Sequence, residues 1–137
     1  MSLATPAVFL RRVLAADAAI SAASGLAMAL GAGLASRWLG LPAPLLQFAG
    51  ASCLPFALGV AWLALRPRPP RAGVCTVIVI NALWALECLA LAAGAGVEPS
   101  AFGIGFLLLQ AIVVAGLAEL EFMGLRRLAQ PRSLAAA

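Results

Sequence analysis

Acidic residues inside long apolar runs are the strongest candidates for chemistry in this 137-residue sequence. Asp17, Glu87 and Glu119 are such residues, and Glu121 lies at the margin of the last run. A carboxylate within a membrane costs free energy unless a partner, a proton or water compensates its charge, so these residues often mark ion or substrate pathways. The chemistry that they indicate is therefore the binding of a proton, an ion or a polar ligand.

Glu87 is the deepest of these acids along its predicted helix. At a rise of about 1.5 Å per residue it lies about 21 Å from Gly73, beyond the middle of a bilayer. We expect it to join an interhelical hydrogen-bond cluster with Gln110 and Ser24, in which each bond contributes about 0.6 kcal/mol. Such a cluster fits either structural packing or a site for a substrate, an ion or a lipid. The other polar candidates within the spans are Asn81 and Ser52.

The remaining acids are predicted to lie closer to the membrane surface. Asp17 is about 7 Å beyond the pair of arginines that precedes it. Glu119 and Glu121 are followed within two turns by Arg126 and Arg127. We expect Asp17 to reach the cytoplasmic headgroup region and Glu119 and Glu121 to form salt bridges near the interface, with a relay to a deeper acid as the alternative.

Several classes of enzyme are disfavoured by the residues that the sequence lacks. It has no His and no Tyr, so the usual haem and zinc ligands are missing. Cys53, Cys75 and Cys88 form no CxxC pair, and no nucleophile elbow or phosphate-binding loop occurs. We expect no enzymatic activity, no cofactor, no bound metal and no disulfide.

The composition is that of a membrane protein. Hydrophobic residues make up 64% of the chain, charged residues 10%, and the mean hydropathy is +1.07, whereas soluble domains carry about 25% charged residues. The net charge of +4 comes from arginines in short connections beside apolar runs. This placement favours contact with lipid headgroups and disfavours nucleic acid as a partner.

Four apolar stretches are long enough to cross a bilayer as helices. They cover about residues 13–34, 45–65, 73–93 and 101–120, and each connection between them contains proline. Short connections return each helix beside its predecessor. We therefore predict an all-α membrane protein in which residues 1–137 form a single up-down-up-down bundle of four transmembrane helices.

The arginines predict the orientation of this bundle. Eight of the nine lie on one side of the membrane, against Arg37 alone on the other. The positive-inside rule then assigns both termini to the cytoplasm. The eight are Arg11, Arg12, Arg66, Arg68, Arg71, Arg126, Arg127 and Arg132.

Small residues recur at every fourth position of the first predicted helix. Ser21, Gly25, Ala29 and Gly33 form this series. Small residues at this spacing allow helices to approach closely, which serves folding of the bundle or association with another subunit. The series predicts a helix-packing ridge.

Several short segments resemble a group of small bacterial four-span membrane proteins that are loosely similar to DoxX-like proteins. The segments are residues 10–17 (LRRVLAAD), 39–42 (LGLP), 81–84 (NALW) and 118–120 (AEL). The resemblance covers most of the chain. It implies the four-span architecture and a bacterial inner membrane, and it implies no reaction.

Two hypotheses about function remain after these exclusions. The first is a non-catalytic accessory subunit of a larger inner-membrane complex of respiratory or photosynthetic type, or a self-associating bundle. Its predicted partners are the lipid bilayer and either other membrane subunits or a second copy of the chain. The second is a small homodimeric transporter or channel that uses the intramembrane carboxylate Glu87.

Overall fold

The computed structural model describes residues 6–130 as four α-helices joined by short connections. Each helix is long and apolar enough to cross a membrane, so the prediction of an all-α protein with four candidate spans is confirmed. The helices are α1 (Pro6–Leu39), α2 (Ala43–Leu65), α3 (Arg71–Ala92) and α4 (Ala101–Ala129).

Two helices extend well beyond the apolar runs that predicted them. The first begins at Pro6 and the fourth continues to Ala129, so Arg11, Arg12 and Arg127 lie within helical turns. Hydropathy ends a predicted span at the first charged residues, but Arg is a good helix former and does not end a helix. The helices therefore project beyond the apolar layer at their Arg-bearing ends.

Local sequence features set several of the helix boundaries. Pro42 and Pro70 directly precede α2 and α3, where the missing proline N–H costs nothing. Ser100 caps α4 by accepting a hydrogen bond from the Gly103 backbone N–H at 3.1 Å. Gly40 has a positive φ of 66° in the turn between α1 and α2, a conformation that suits glycine.

The helices pack in two close pairs, α1 with α2 and α3 with α4, and α1 also packs against α4. The Arg11 Nε donates to the Ala64 carbonyl near the end of α2 at 2.9 Å. At the other end of α1, the Leu39 carbonyl accepts from the Ser100 backbone N–H at 2.9 Å. By contrast, α2 and α3 meet at very few residues.

Glycines bring α1 and α2 into their closest approach. A Cβ atom at Gly50 would lie 2.5 Å from the Ala29 nitrogen and 2.6 Å from the Gly25 oxygen. Gly33 has nothing within 4 Å of a Cβ position and is exposed. Gly25 and Ala29, in the middle of the small-residue series, therefore contact α2, whereas Gly33 at its end does not. The reason is that positions four residues apart rotate gradually around a helix of 3.6 residues per turn.

Two hydrophobic clusters form the core, one toward each end of the bundle. The first includes Leu10, Leu14 and Val74, and the second includes Met28, Leu46 and Leu107. Asn81 of α3 and Glu121 of α4 fall between the positions that contribute to these two clusters, and Asp17 of α1 lies beside Ala18 at the inner edge of the first cluster. These three buried side chains form a polar layer in the core.

Candidate functional site

Three polar side chains from three helices are buried together in this layer. Asp17 of α1, Asn81 of α3 and Glu121 of α4 are 1%, 3% and 0% exposed. Buried carboxylates are rare, and in a membrane they are expensive unless each is paired or protonated. We refer to Asp17, Asn81 and Glu121 together as the carboxylate cluster.

One amide group connects the two acids of the carboxylate cluster. The Asn81 Nδ2 donates to Asp17 Oδ2 at 2.8 Å and makes a longer hydrogen bond of 3.4 Å to Glu121 Oε2. The Ser21 hydroxyl, one turn along α1, donates to Asp17 Oδ1 at 3.0 Å. Both oxygens of Asp17 are therefore satisfied by protein donors.

Glu121 is not satisfied in the same way. Its Oε1 is buried and accepts from no protein N–H or hydroxyl group, while its carboxyl group lies within hydrogen-bonding reach of Asp17. In the described part of the chain, the donors to the two acids are Ser21 and Asn81, neither of which is charged. Two carboxyl groups that share one amide without an arginine are stable only with a proton or a cation bound, since two buried negative charges repel strongly.

Glu121 does not form the predicted salt bridge near the interface, and Asp17 does not extend toward the headgroup region as expected. Both side chains turn into the bundle, about 7.5 Å along their helices from Arg12 and Arg126. The Arg126 guanidinium lies 5.8 Å from the centre of its neighbouring Phe122 ring. Cation–π contact and solvation at the helix end satisfy this arginine without burying it.

A cavity of about 310 Å³ adjoins the carboxylate cluster. All four helices contribute to its wall, which is mainly apolar. Ser21 and Asn81 form the part of the wall that is hydrogen-bonded to the two acids. The aromatic side chains in the wall are Phe56, Trp84 and Phe106, and the other polar ones are Ser24, Ser52 and Gln110.

A second hydrogen-bonded group borders the same cavity. The Trp84 Nε1 donates to Gln110 Oε1 at 3.1 Å, and the Gln110 Nε2 lies 3.7 Å from Met28 Sδ. Gln110 is eleven residues before Glu121, about 16 Å along α4. The cavity therefore borders two polar groups at different depths, the carboxylate cluster and the Trp84–Gln110 pair.

The expected cluster of Glu87 with Gln110 and Ser24 is wrong. Glu87 is exposed, and although Gln110 borders the same small cavity, Gln110 bonds to Trp84 and Met28 instead. Because α3 ends at Ala92, Glu87 is only about 7.5 Å from that end of its helix and within reach of the membrane surface. It borders a smaller cavity of about 80 Å³ at the end of the bundle away from the carboxylate cluster.

The other predicted site residues do not join the carboxylate cluster. Glu119 is exposed on the opposite side of α4 from Glu121. Ser52 lines the cavity, but its hydroxyl donates to the Phe48 carbonyl of its own helix at 2.8 Å. Arg12, Arg66, Arg68, Arg71, Arg126 and Arg127 are exposed near helix ends, Arg11 is half-buried, and Arg132 lies outside the described residues.

Sequence reasoning missed the importance of Glu121 because it used depth alone. Consecutive helical residues differ in direction by about 100°, so Glu119 and Glu121 point to nearly opposite faces. The face of α4 that holds Gly103, Leu107, Ala111, Leu117 and Glu121 is the buried one. Small and apolar residues at spacings of four to six positions mark this face in the sequence, and Glu121 continues the series.

Among residues 6–130, no group of three or more His, Cys, Asp or Glu side chains is placed to hold a metal ion. No family model, curated protein or solved structure matches the chain. The resemblance to DoxX-like proteins stays a prediction, and the geometry of the site is the basis for inference about function.

Proposed function

We propose that the protein is a small cation-coupled transporter of the bacterial inner membrane. Asp17 and Glu121 together hold the exchangeable proton or cation, and the adjoining cavity forms part of its path. This proposal keeps the intramembrane carboxylate of the transporter hypothesis and assigns that role to the carboxylate cluster in place of Glu87. The chain carries out no covalent chemistry in this function.

The observation that carries the proposal is a buried pair of acids, Asp17 and Glu121, in which Glu121 Oε1 accepts from no protein donor. Buried polar networks that serve only structure are normally fully hydrogen-bonded, since an unsatisfied group costs free energy. A group that binds and releases a cation needs free lone pairs in at least one state. Glu121 has this property, and it shares Asn81 with a second acid that can stabilise the bound charge.

We also propose the up-down-up-down topology with both termini in the cytoplasm. Contacts between helix ends support it, because the beginning of α1 meets the end of α2 at Ala64 and the end of α1 meets the beginning of α4 at Ser100. The arginine distribution supports the cytoplasmic assignment by the positive-inside rule. The carboxylate cluster then lies in the cytoplasmic half of the bundle.

Flux measurements in proteoliposomes test the transport function. Purified protein is reconstituted with an internal pH-sensitive dye, and gradients of Na⁺, K⁺ and ethylammonium are imposed in turn. We expect at least one gradient, or a membrane potential alone, to move protons faster than in protein-free liposomes. Glu121→Gln and Asp17→Asn should abolish this movement because neither variant can hold the cation between two carboxylates.

Glu119→Gln is the matched control for Glu121→Gln, since it makes the same change two residues away on an exposed face. It should retain the flux of the unmodified protein. Equal flux in the protein-free and protein-containing liposomes under every gradient contradicts the proposal. So does a Glu121→Gln protein that elutes as the unmodified protein does in gel filtration and keeps its flux.

An accessory subunit is the second candidate, and the outer surface of the helices favours it. Gly31, Gly105 and Gly116 have nothing within 4 Å of a Cβ position, so another helix could approach each of them closely. Purification in mild detergent followed by native mass spectrometry tests this candidate. A stoichiometric partner subunit supports it, whereas a homodimer or monomer contradicts it and agrees with the transporter proposal.

A further inference from the structure

The polar side chains that line the cavity of about 310 Å³ offer it far more hydrogen-bond acceptors than hydrogen-bond donors. Ser21 donates to Asp17, Asn81 donates to both acids, and Trp84 donates to Gln110. In the same way, Gln110 donates to Met28 and Ser52 donates to its own helix. These bonds engage the N–H and O–H hydrogens of five of the six polar side chains in the wall, except for the second amide hydrogen of Gln110. That hydrogen and the hydroxyl of the sixth side chain, Ser24, are the donors left for a ligand.

The groups left open by this arrangement are oxygen lone pairs. A serine hydroxyl that donates its hydrogen keeps two acceptor sites, and an asparagine whose NH₂ is engaged keeps its carbonyl oxygen. Ser21 and Asn81 both line the cavity in this state, with Asp17 and Glu121 directly behind them. A ligand that meets this wall must donate hydrogen bonds, and the acids behind the wall favour a positive charge.

The rest of the wall suits an apolar body. Phe56, Trp84 and Phe106 contribute aromatic surface, and Trp84 is held in place by its bond to Gln110. Aromatic rings attract cations as well as apolar groups. At about 310 Å³ the cavity is at the lower end of the range for small-molecule sites, which limits the ligand to a compact molecule.

We propose that this cavity binds a primary ammonium with a single aromatic or branched apolar group. The ammonium donates to Ser21 and Asn81, and its charge is compensated by Asp17 and Glu121. The apolar group lies among Phe56, Trp84 and Phe106. This inference rests on the proposed function in one respect, the assignment of the carboxylate cluster as the cation site, and it adds the chemical class of the substrate.

Fluorescence of Trp84 provides the test, with 2-phenylethylammonium as the probe. Trp38 and Trp62 are exposed, so Trp38→Phe and Trp62→Phe leave Trp84 as the sole tryptophan. Titration of this protein in detergent should give a saturable change in emission. The isosteric neutral alcohol 2-phenylethanol should bind at least about tenfold more weakly, because it loses charge-assisted hydrogen bonds.

A quaternary analogue separates charge from hydrogen bonding. Trimethyl(2-phenylethyl)ammonium keeps the charge and has no N–H, so it should also bind more weakly than the primary amine. Asp17→Asn should weaken binding of the primary amine by at least about tenfold, since one charge behind the wall is removed. Glu119→Gln and Glu87→Gln, which change exposed acids, should leave the affinity unchanged.

Ethanolamine lipids carry the same primary ammonium, and competition distinguishes this source from a soluble amine. Dioleoylphosphatidylethanolamine is added to the amine complex, with dioleoylphosphatidylcholine as the control lipid. If only the ethanolamine lipid displaces the probe, the bound ammonium is a headgroup. If neither lipid does so, the ligand is a soluble amine.

The outcomes separate this inference from the transport function. Equal binding of the amine and the alcohol, or no change in Trp84 emission with any probe, overturns the ammonium proposal even where proteoliposome flux depends on Glu121. Amine binding that is lost in Asp17→Asn supports the ammonium proposal even where no flux is measured, and in that case it is the transport function that fails.

Discussion

The Asn81 Nδ2 lies 2.8 Å from Asp17 Oδ2, although the two residues are 64 positions apart in the chain. The same nitrogen reaches Glu121, so one amide on α3 connects acids on α1 and α4. Since α1 and α2 form one close pair and α3 and α4 the other, this contact links the two pairs inside the bundle. The proposed cation site is thus also a junction between the two halves of the bundle.

Replacing Asn81 should destabilise the protein through this junction. Asn81→Ala leaves two buried carboxyl groups without their shared donor, and we expect a loss of about 1–3 kcal/mol in the free energy of unfolding. Thermal unfolding in detergent measures the effect. Thr76→Val on the same helix is the control, because the Thr76 hydroxyl is exposed and bonds only to its own helix. Equal midpoints for the two variants would show that the junction adds no stability.

Adding one methyl group at Gly50 should separate α1 from α2. The new Cβ would meet backbone atoms of Ala29 and Gly25, which cannot move without shifting the helices. We expect Gly50→Ala to cost about 1–3 kcal/mol, the usual range for overpacking. Gly59→Ala on the same helix has open space and should be neutral or stabilising, since alanine favours helix. Chemical denaturation in mixed micelles compares the two, and similar midpoints would contradict the close approach.

The architecture was largely predictable from the sequence, and the site was predictable only in part. Continuous apolar runs bounded by proline indicate four helices, because backbone polar groups in lipid must be satisfied within the helix. Asp17, Asn81 and Gln110 were among the polar residues predicted within the spans, and the structure has Asp17 and Asn81 buried and Gln110 half-buried. Their partners were not predictable from depth, since depth does not tell which face of a helix meets its neighbours.

Glu87 and Glu121 illustrate that difficulty in opposite directions. Glu87 was predicted to be deep and central, yet it is exposed near the end of α3. Glu121 was predicted to be marginal, yet it is completely buried. The length of the helix and the direction in which each side chain points determine whether these two acids are buried. Hydropathy measures neither property, because a helix with arginines at its end can continue beyond the apolar layer.

Trp84→Phe should weaken the second polar group while keeping aromatic bulk in the cavity wall. It removes the donor to Gln110 Oε1, a bond worth about 0.6 kcal/mol in a membrane protein. We expect a small loss in unfolding free energy and an unchanged Glu121-dependent proton flux. Trp62→Phe, on an exposed surface of α2, is the control for the same chemical change. A complete loss of flux in Trp84→Phe would show that the cation path requires the indole N–H of Trp84 and not only its aromatic bulk.

Cys53 offers a chemical probe of the electrostatics inside the cavity. It is half-buried in the wall, whereas Cys75 is exposed and Cys88 is buried. In a Cys75→Ser, Cys88→Ala background, Cys53 should react about tenfold or more faster with 2-aminoethyl methanethiosulfonate than with the 2-sulfonatoethyl reagent at low salt. The physical reason is that buried acids beside a low-dielectric cavity concentrate cations and repel anions.

Two comparisons decide whether the preference at Cys53 comes from the carboxylate cluster. Asp17→Asn in the same background should reduce it, because one of the two acids behind Ser21 and Asn81 is neutralised. A protein that keeps only Cys75, which is exposed on α3 one turn after Arg71, should show no preference for the cationic reagent. If both reagents modify Cys53 at the same rate, the cavity does not select cations, and its acceptor wall cannot be the entry to a cation site.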